Sequence, residues 1–178
     1  AGYNFVGWQQ ATPHSEAVFS KGSAWYYYDK GQREGSGWKT GIDGMSQGNA
    51  PLGYGKDGIA TTLDFGGDSN NKRPTYYLNR SFYLHTQPGD DDKMQLDFTA
   101  DDGFVVYVNG KEAARYNMPD GTPTYDTYSA TDAKSNPDSG SLYLSPKLFA
   151  QGVNTIAVEV HNNSATSSDI YRDAALTR

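Results

Sequence analysis

Cysteine is absent from the 178 residues, which excludes disulfides and thiolate metal sites and leaves the redox compartment unread. Histidine is scarce: His14, His85 and His161 lie far apart, with no i,i+4 pair and no H-E-x-x-H run, so no zinc centre is expected. Long apolar runs are missing too. The longest, Phe104 to Val108, falls far short of the ~18 residues of a membrane span, and a soluble protein is expected. No basic segment followed by an apolar stretch opens the chain, so any export signal is expected to have been removed or never to have been present. Positive charge is in deficit, with 15 Lys and Arg against 21 Asp and Glu, giving a formal net charge of −6. Such a field repels phosphate backbones, and neither nucleic acid nor membrane is an expected partner.

What the chain has instead is tyrosine, glycine and short polar residues: 14 Tyr and 20 Gly, with a mean hydropathy of −0.74. Tyrosine suits half-buried sheet surfaces, and it also suits the recognition of flat polar ligands such as sugars, because it joins an apolar face to a hydroxyl at low entropic cost. The length fits one domain, residues 1 to 178, large enough to bury a core without a staple.

The most informative stretch is Thr99 to Glu112. Asp101-Asp102-Gly103 opens a β-prone run that ends in Asn109-Gly110, the dipeptide best suited to a two-residue hairpin turn. Before it, Met94 to Ala100 alternates strictly, with Met94, Leu96, Phe98 and Ala100 on one face, which reads as a half-buried strand beside the hairpin. Asn154 to His161 repeats the pattern, with Ile156, Val158 and Val160 on the apolar face. Further strands are predicted over Glu16 to Phe19, Ala24 to Tyr28, Ile59 to Phe65, Thr75 to His85, Lys111 to Tyr116 and Asp169 to Leu176. Residues 1 to 14, with Phe5, Val6, Trp8 and Pro13, read as an irregular lead-in or an edge strand. Ser145 to Gly152 predicts one short helix, with Pro146 at its first position and Gly152 past its end. Two stretches without a period, Asp29 to Gly58 and Asn117 to Ser141, are long enough to suggest functional loops. An all-β antiparallel sandwich or jelly roll with one short helix is the expected architecture.

Gly44-Met45-Ser46-Gln47-Gly48 has the spacing of a nucleophile elbow, but lacks the preceding strand and following helix that expose the serine, so no catalysis is expected there. Carboxylate pairs such as Asp101 or Asp102 with Glu159 arise by chance in so acidic a chain. No spacing specifies a glycosidase pair. Arg80 shares a face with Tyr76, Leu78, Phe82 and Leu84, so an ion pair or a position at the sheet's end is expected for it. The acidic runs Asp68 to Asn71, Asp90 to Asp92 and Asp101-Asp102 carry oxygens that Ca²⁺ uses, without EF-hand spacing. Asn79 and Asn162 open Asn-x-Ser triplets, which matter only in a eukaryotic secretory setting.

Taken in order, Ala50-Pro51-Leu52-Gly53-Tyr54-Gly55, Asp102 to Gly110, Gly152 to His161 and Ser167-Ser168-Asp169-Ile170 resemble a family of galactose-binding-like β-sandwich modules. The likeness covers about residues 20 to 176. It implies a jelly roll without catalytic machinery, often a carbohydrate-binding module, appended to large secreted bacterial proteins that include polysaccharide-degrading enzymes. Asp101-Asp102 before glycine is also similar to the acidic dipeptide of protective-antigen-type sugar-binding domains, which implies Ca²⁺ bridging to sugar hydroxyls. The expectation is therefore a non-catalytic, extracellular or cell-surface domain that binds a polysaccharide or oligosaccharide beside neighbouring domains, with no required cofactor and a structural Ca²⁺ as an option. The alternative is a structural or interaction sandwich with no sugar ligand. Tyr54, Tyr116, Tyr125, Tyr128 and Arg115, in or beside the long loops, and Asp101 and Asp102 at the hairpin mouth are the candidate ligand residues. For the two aspartates a structural role, bonding loop amides or Ca²⁺, is the first expectation, and a ligand role depends on the Tyr-bearing loops folding over them.

Overall fold

The computed structural model of the protein describes residues 14–178, so the lead-in expected over residues 1 to 14 lies, His14 apart, outside the described residues. Twelve strands follow in chain order: β1 (Ala17–Phe19), β2 (Ala24–Tyr28), β3 (Ser46–Asn49), β4 (Leu52–Tyr54), β5 (Thr61–Thr62), β6 (Thr75–Leu84), β7 (Met94–Asp101), β8 (Gly103–Val108), β9 (Lys111–Tyr116), β10 (Asp138–Leu144), β11 (Gly152–His161) and β12 (Ile170–Thr177). One sheet runs β10-β7-β12-β4-β5, with β1 added on β12, and the other runs β3-β2-β6-β11-β8-β9. Every pairing is antiparallel except β4 with β5. This is the expected sandwich.

Alternation builds the layer between the sheets. Leu96, Phe98 and Ala100 of β7 and Ala174 and Leu176 of β12 meet Leu78 of β6, Phe104, Val106 and Val108 of β8, and Ile156, Val158 and Val160 of β11. Each large apolar side chain buried here contributes roughly 1.5–3 kcal/mol. Trp25 and Tyr27 are the inward pair of β2, which decides between the two faces its sequence offered. Asn109 and Gly110 both take positive φ, 50° and 83°, as the hairpin turn between β8 and β9 requires.

Three expectations change. β7 is not beside the hairpin: it pairs with β10 and β12 in the opposite sheet, so the chain crosses the sandwich at Asp101-Asp102. Alternation reports which face is apolar and is silent on which sheet receives it. The strand expected over Ile59 to Phe65 pairs only at Thr61–Thr62. The helix after Ser145 shortens to a 3-10 turn at Pro146–Leu148, because Phe149 adopts extended backbone and is buried in the core. A second 3-10 turn, Gly37–Lys39, lies in the first long loop. Among the described residues no helix is long and apolar enough to cross a membrane.

Candidate functional site

The two long loops converge. On the outer face of the second sheet, Tyr77 of β6, Val105 and Tyr107 of β8 and Ala157 of β11 form a second apolar layer, closed by Trp38 from the first loop and flanked by Met118 and Tyr125 from the second. The Trp38 ring lies 4.8 Å from that of Tyr77 at 58° and 5.5 Å from that of Tyr107 at 87°. These are packing geometries of a core. Asn79 fastens the loop from below, donating from Nδ2 to the Trp38 carbonyl at 2.8 Å.

Between the loops opens a cleft of about 200 Å³, lined by Arg33, Trp38 and Lys39 on one side, Thr122 to Tyr125 on the other, and Tyr77, Tyr107 and Glu159 at the floor. Glu159 stands there because β11 alternates: Ile156, Val158 and Val160 point into the sandwich, so Glu159 and His161 point out under the loops. The Tyr107 hydroxyl donates to Glu159 Oε1 at 2.8 Å. Burial first, and then the Glu159 charge, hold the Tyr107 phenol well above its ordinary range, so it remains a donor. Burial likewise pushes Tyr77 up to about 12. His161, fully buried, spans Thr127 O at 2.6 Å and Thr75 Oγ1 at 3.1 Å through Nδ1, tying the second loop to the sheet. The Lys39 ammonium lies 3.9 Å from the centre of the Tyr107 ring. The cleft thus offers cationic donors at its rim, a carboxylate acceptor at its floor and ring walls.

The second concavity lies where the chain crosses between the sheets. A polar pocket of about 400 Å³ is lined by Asp101, Asp102, Asp132, Asn163, Ser168 and Asp169 among others. Asp102, 1% exposed, accepts the backbone N–H of Ala133 and of Asn163, each at 2.9 Å. Burial, and then the adjoining Asp101 carboxyl, raise its pKa to about 8, well above the ordinary carboxylate range. Lys56, from the loop after β4, reaches Asp101 Oδ2 at 2.7 Å and Asp169 Oδ2 at 2.5 Å. Burial pulls that ammonium down, but the hydrogen bonds and charges of the two aspartates outweigh it and its pKa is raised. Gly55 makes the approach feasible: at φ 77° it sits so close to the β11–β12 loop that a Cβ would lie 2.2 Å from Ser168 O.

Ca²⁺ does not fit this donor set. Asp101 and Asp169 hold an ammonium, and both Asp102 oxygens accept loop amides. Among the described residues no group of three or more His, Cys, Asp or Glu is arranged to hold a metal ion.

The remaining candidates are dispersed. Tyr125 lines the cleft, and Tyr128 is 37% exposed on the same loop. Tyr54 is closed off in the core, 6% exposed, its hydroxyl accepting from Asn162 Nδ2 at 2.9 Å. That places it away from any ligand-facing surface. Tyr116 stacks on Phe104 at 5.7 Å and donates to Asp138 Oδ2 at 2.8 Å. Arg115 spends its fork on Glu112 and on the carbonyls of Pro119 and Gly121. Arg80 forms no salt bridge among the described residues, and stacks instead over Phe19 at 4.2 Å. Asn79 and Asn162 are both fully buried, so neither triplet presents an acceptor. Ser46 lies in β3 and not on a strand-to-helix turn. Sequence reasoning missed Arg33, Trp38, Lys39 and Lys56. Glu159 alone carried a signal, as an acidic residue inside a strongly apolar strand.

Comparison of the sequence with protein-family models and with curated proteins finds no match. Solved structures do resemble it. A β-glucuronidase from an uncultured Clostridium sp. superposes with a TM-score of 0.54 at 12% identity, over 98% of this chain and 30% of that one. Bacteroides uniformis β-glucuronidase 2 gives 0.55 at 18% identity, over 92% and 18%, and the Ruminococcus gnavus β-glucuronidase 0.50 at 16%, over 89% and 23%. These likenesses show the β-sandwich fold, and the chain spans less than a third of each of those proteins.

Proposed function

We propose that the chain is a non-catalytic accessory sandwich that binds a polysaccharide or oligosaccharide, working beside a carbohydrate-active or surface-anchoring neighbour in a longer extracellular protein. The observation that carries this is the cleft where the two long loops meet over Glu159. A sugar presents hydroxyls that both donate and accept, together with an apolar ring face. Glu159 supplies an acceptor, Arg33 and Lys39 supply donors, and Tyr125 supplies a ring. A volume of about 200 Å³ lies below the ~300–1,000 Å³ of drug-sized sites, which suits one sugar ring or a chain end rather than a flat glycan surface. The fold shared with segments of β-glucuronidases supports the accessory setting, since the chain matches only a fraction of those enzymes.

Calorimetry of the protein against soluble plant and microbial glycans tests the reading. Binding is expected for at least one glycan, weakened about tenfold or more by Glu159→Gln, since a hydrogen bond to a charged group is worth about 1.5–3 kcal/mol. Silence across the panel sinks it. The alternative, a spacer or docking domain without a sugar ligand, draws support from the burial of Trp38, Tyr77 and Tyr107, whose rings pack as a core and form no coplanar platform. It predicts that silence.

A further inference from the structure

The cleft under the two long loops carries its charges in a fixed order. The half-buried Lys39 holds its ammonium 3.9 Å from the centre of the Tyr107 ring and 5.7 Å from that of Trp38, so rings keep the cation in place. Its own donors stay unspent, because it makes no hydrogen bond or salt bridge among the described residues. The half-buried Arg33 guanidinium stands 4.7 Å from the centre of the Tyr28 ring and gives one terminal nitrogen, Nη1, to the Asp43 carbonyl at 2.6 Å. Its Nε and Nη2 have no partner, and no carboxylate pairs with it, among the described residues. Tyr107 separates Lys39 from the one carboxylate that lines the cleft, since its ring face carries the ammonium while its hydroxyl donates to Glu159 Oε1 at 2.8 Å. Glu112, whose carboxyl also feels the Lys39 charge, is forked by Arg115. The facing wall, Thr122 to Tyr125, is uncharged. The lining thus sets two cations against one carboxylate, inside a chain of formal net charge −6.

A neutral hydroxyl would satisfy the donors of these cations and leave their charge uncompensated, whereas a carboxylate does both. Its two oxygens also match the planar fork of a guanidinium. Glu159 repels such a group from the floor, so it belongs at the rim, while hydroxyls elsewhere on the same ring can donate to Glu159. Resting on the sugar-binding reading above, we infer that the cleft selects an acidic sugar, a hexuronate unit whose carboxylate meets Arg33 and Lys39 and whose hydroxyls meet Glu159. A volume of about 200 Å³ admits one such ring, so the recognised unit is a single residue or the end of an acidic glycan. The overall charge of the chain works against an anion, which makes this preference local and short-ranged.

The experiment is calorimetry with paired oligosaccharides: glucuronate-, galacturonate- and mannuronate-containing oligomers, each beside its carboxyl-reduced, neutral counterpart. At least one acidic oligomer is expected to bind about tenfold or more tightly than its neutral partner. Lys39→Gln and Arg33→Gln, which keep a donor and remove the charge, should each shrink that ratio to about threefold or less. Glu159→Gln should weaken both members of the pair and keep or widen the ratio, as a hydroxyl acceptor on the floor requires. Raising NaCl from ~0.05 to ~0.5 M should cost the acidic oligomer about threefold or more and leave the neutral one unmoved, because the cleft walls are held by rings and only the ligand contact is ionic. Urea unfolding checks that each variant folds, and where one does not, the salt series on the wild-type protein carries the test. Silence from every oligomer, acidic and neutral, defeats the sugar-binding reading and this inference with it. Binding in which the neutral partner equals or exceeds the acidic one, or an acidic preference that the rim substitutions and salt leave unchanged, overturns this inference alone.

Discussion

The cleft under the loops and the pocket at the crossover are both closed by the second long loop, Thr122 to Tyr125 serving one and Asp132 and Ala133 the other. They are held together by different physics. The cleft rests on an aromatic layer, Trp38 against Tyr77 and Tyr107, in which the single carboxylate, Glu159, is held by a phenol. The pocket has almost no apolar lining, and its order comes from Lys56, three aspartates and two loop amides. Dispersion and desolvation make the first insensitive to pH and salt, whereas the second depends on the charge state of its members. That contrast suggests a division of labour: the cleft can expose polar groups to a ligand because rings already hold its walls, while the pocket's polar groups are spent on one another.

The largest effect that tests this comparison is expected from Trp38→Ala. Trp38 is 3% exposed and closes the outer layer, so truncation is expected to cost about 3–5 kcal/mol in urea unfolding. It should also abolish glycan binding, because the first loop would lose its seat. A cost below about 1 kcal/mol would mean that the loop is not held by its tryptophan, and the contrast with the charge-held pocket would fail.

The next effect belongs to the pocket and appears as pH dependence. The folded pKa of Asp102 is raised to about 8, against an unfolded value of about 3.9. The folded state therefore holds the proton more tightly, and the stability from this group is complete below about pH 4 and is lost as pH rises to about 8. The loss is expected to be on the order of a few kcal/mol across that window. On the acid side the opposite holds. Asp97, lowered chiefly by hydrogen bonds from Ser141 and Gln95, and Asp138, on which burial is the largest single effect and raises the pKa but is outweighed by the hydrogen bonds of Tyr116 and of the loop amides of Lys134 and Ser135 together, contribute stability that is lost as pH falls through their folded values. Thermal midpoints between pH 4 and 8 should decline for the wild type. For Asp102→Asn they should run nearly flat, at a lower baseline because the amide nitrogen that replaces one carboxyl oxygen cannot accept the loop N–H which that oxygen held. A wild-type curve as flat as the variant's would show that the pocket is not held by charge state.

How much of this was legible in the sequence follows from the range of each signal. The β8–β9 hairpin and β11 were readable because alternation and an Asn-Gly turn are local, and the structure repeats them residue by residue. The passage of β7 into the opposite sheet was not, since Met94 to Ala100 would alternate identically in either sheet. Two long stretches stood out by their lack of period, and the structure brings parts of them together. The first, Asp29 to Gly58, also holds the strands Ser46–Asn49 and Leu52–Tyr54, because strands of three or four residues are too short to show a period, and the second ends inside Asp138–Leu144. Trp38, inside such a stretch, carried no period to show what it packs on. Lys56 follows Gly-Tyr-Gly with nothing to mark its reach toward Asp101 and Asp169, because ion pairs between distant segments leave no spacing to read. Tyr54 and Tyr116 were drawn toward ligand roles by their nearness to loops, yet burial claimed the first and ring stacking the second.

The smallest effect discriminates most finely. Arg115, in β9 just before the second loop, has the chemistry of a ligand clamp, but its Nε and one terminal nitrogen meet the two Glu112 oxygens at 2.7 and 2.9 Å, and the other terminal nitrogen meets Pro119 O and Gly121 O at 3.0 and 2.9 Å. The hydrogen bond from Arg115, followed by its charge, keeps the Glu112 carboxyl below its ordinary range against the opposing effect of burial. Both side chains are partly exposed, at 28% and 39%, so the ion pair itself is worth at most about 1 kcal/mol. Arg115→Ala is therefore expected to lower stability by about 1 kcal/mol and to leave glycan affinity within about twofold, since the groups that face the cleft are untouched. Calorimetry and urea unfolding on the same variant separate the two roles. A tenfold loss of affinity with unchanged stability would move the sugar from the Glu159 cleft to the outer side of the loop, and the aromatic layer would then be a support beneath the site and no part of its wall.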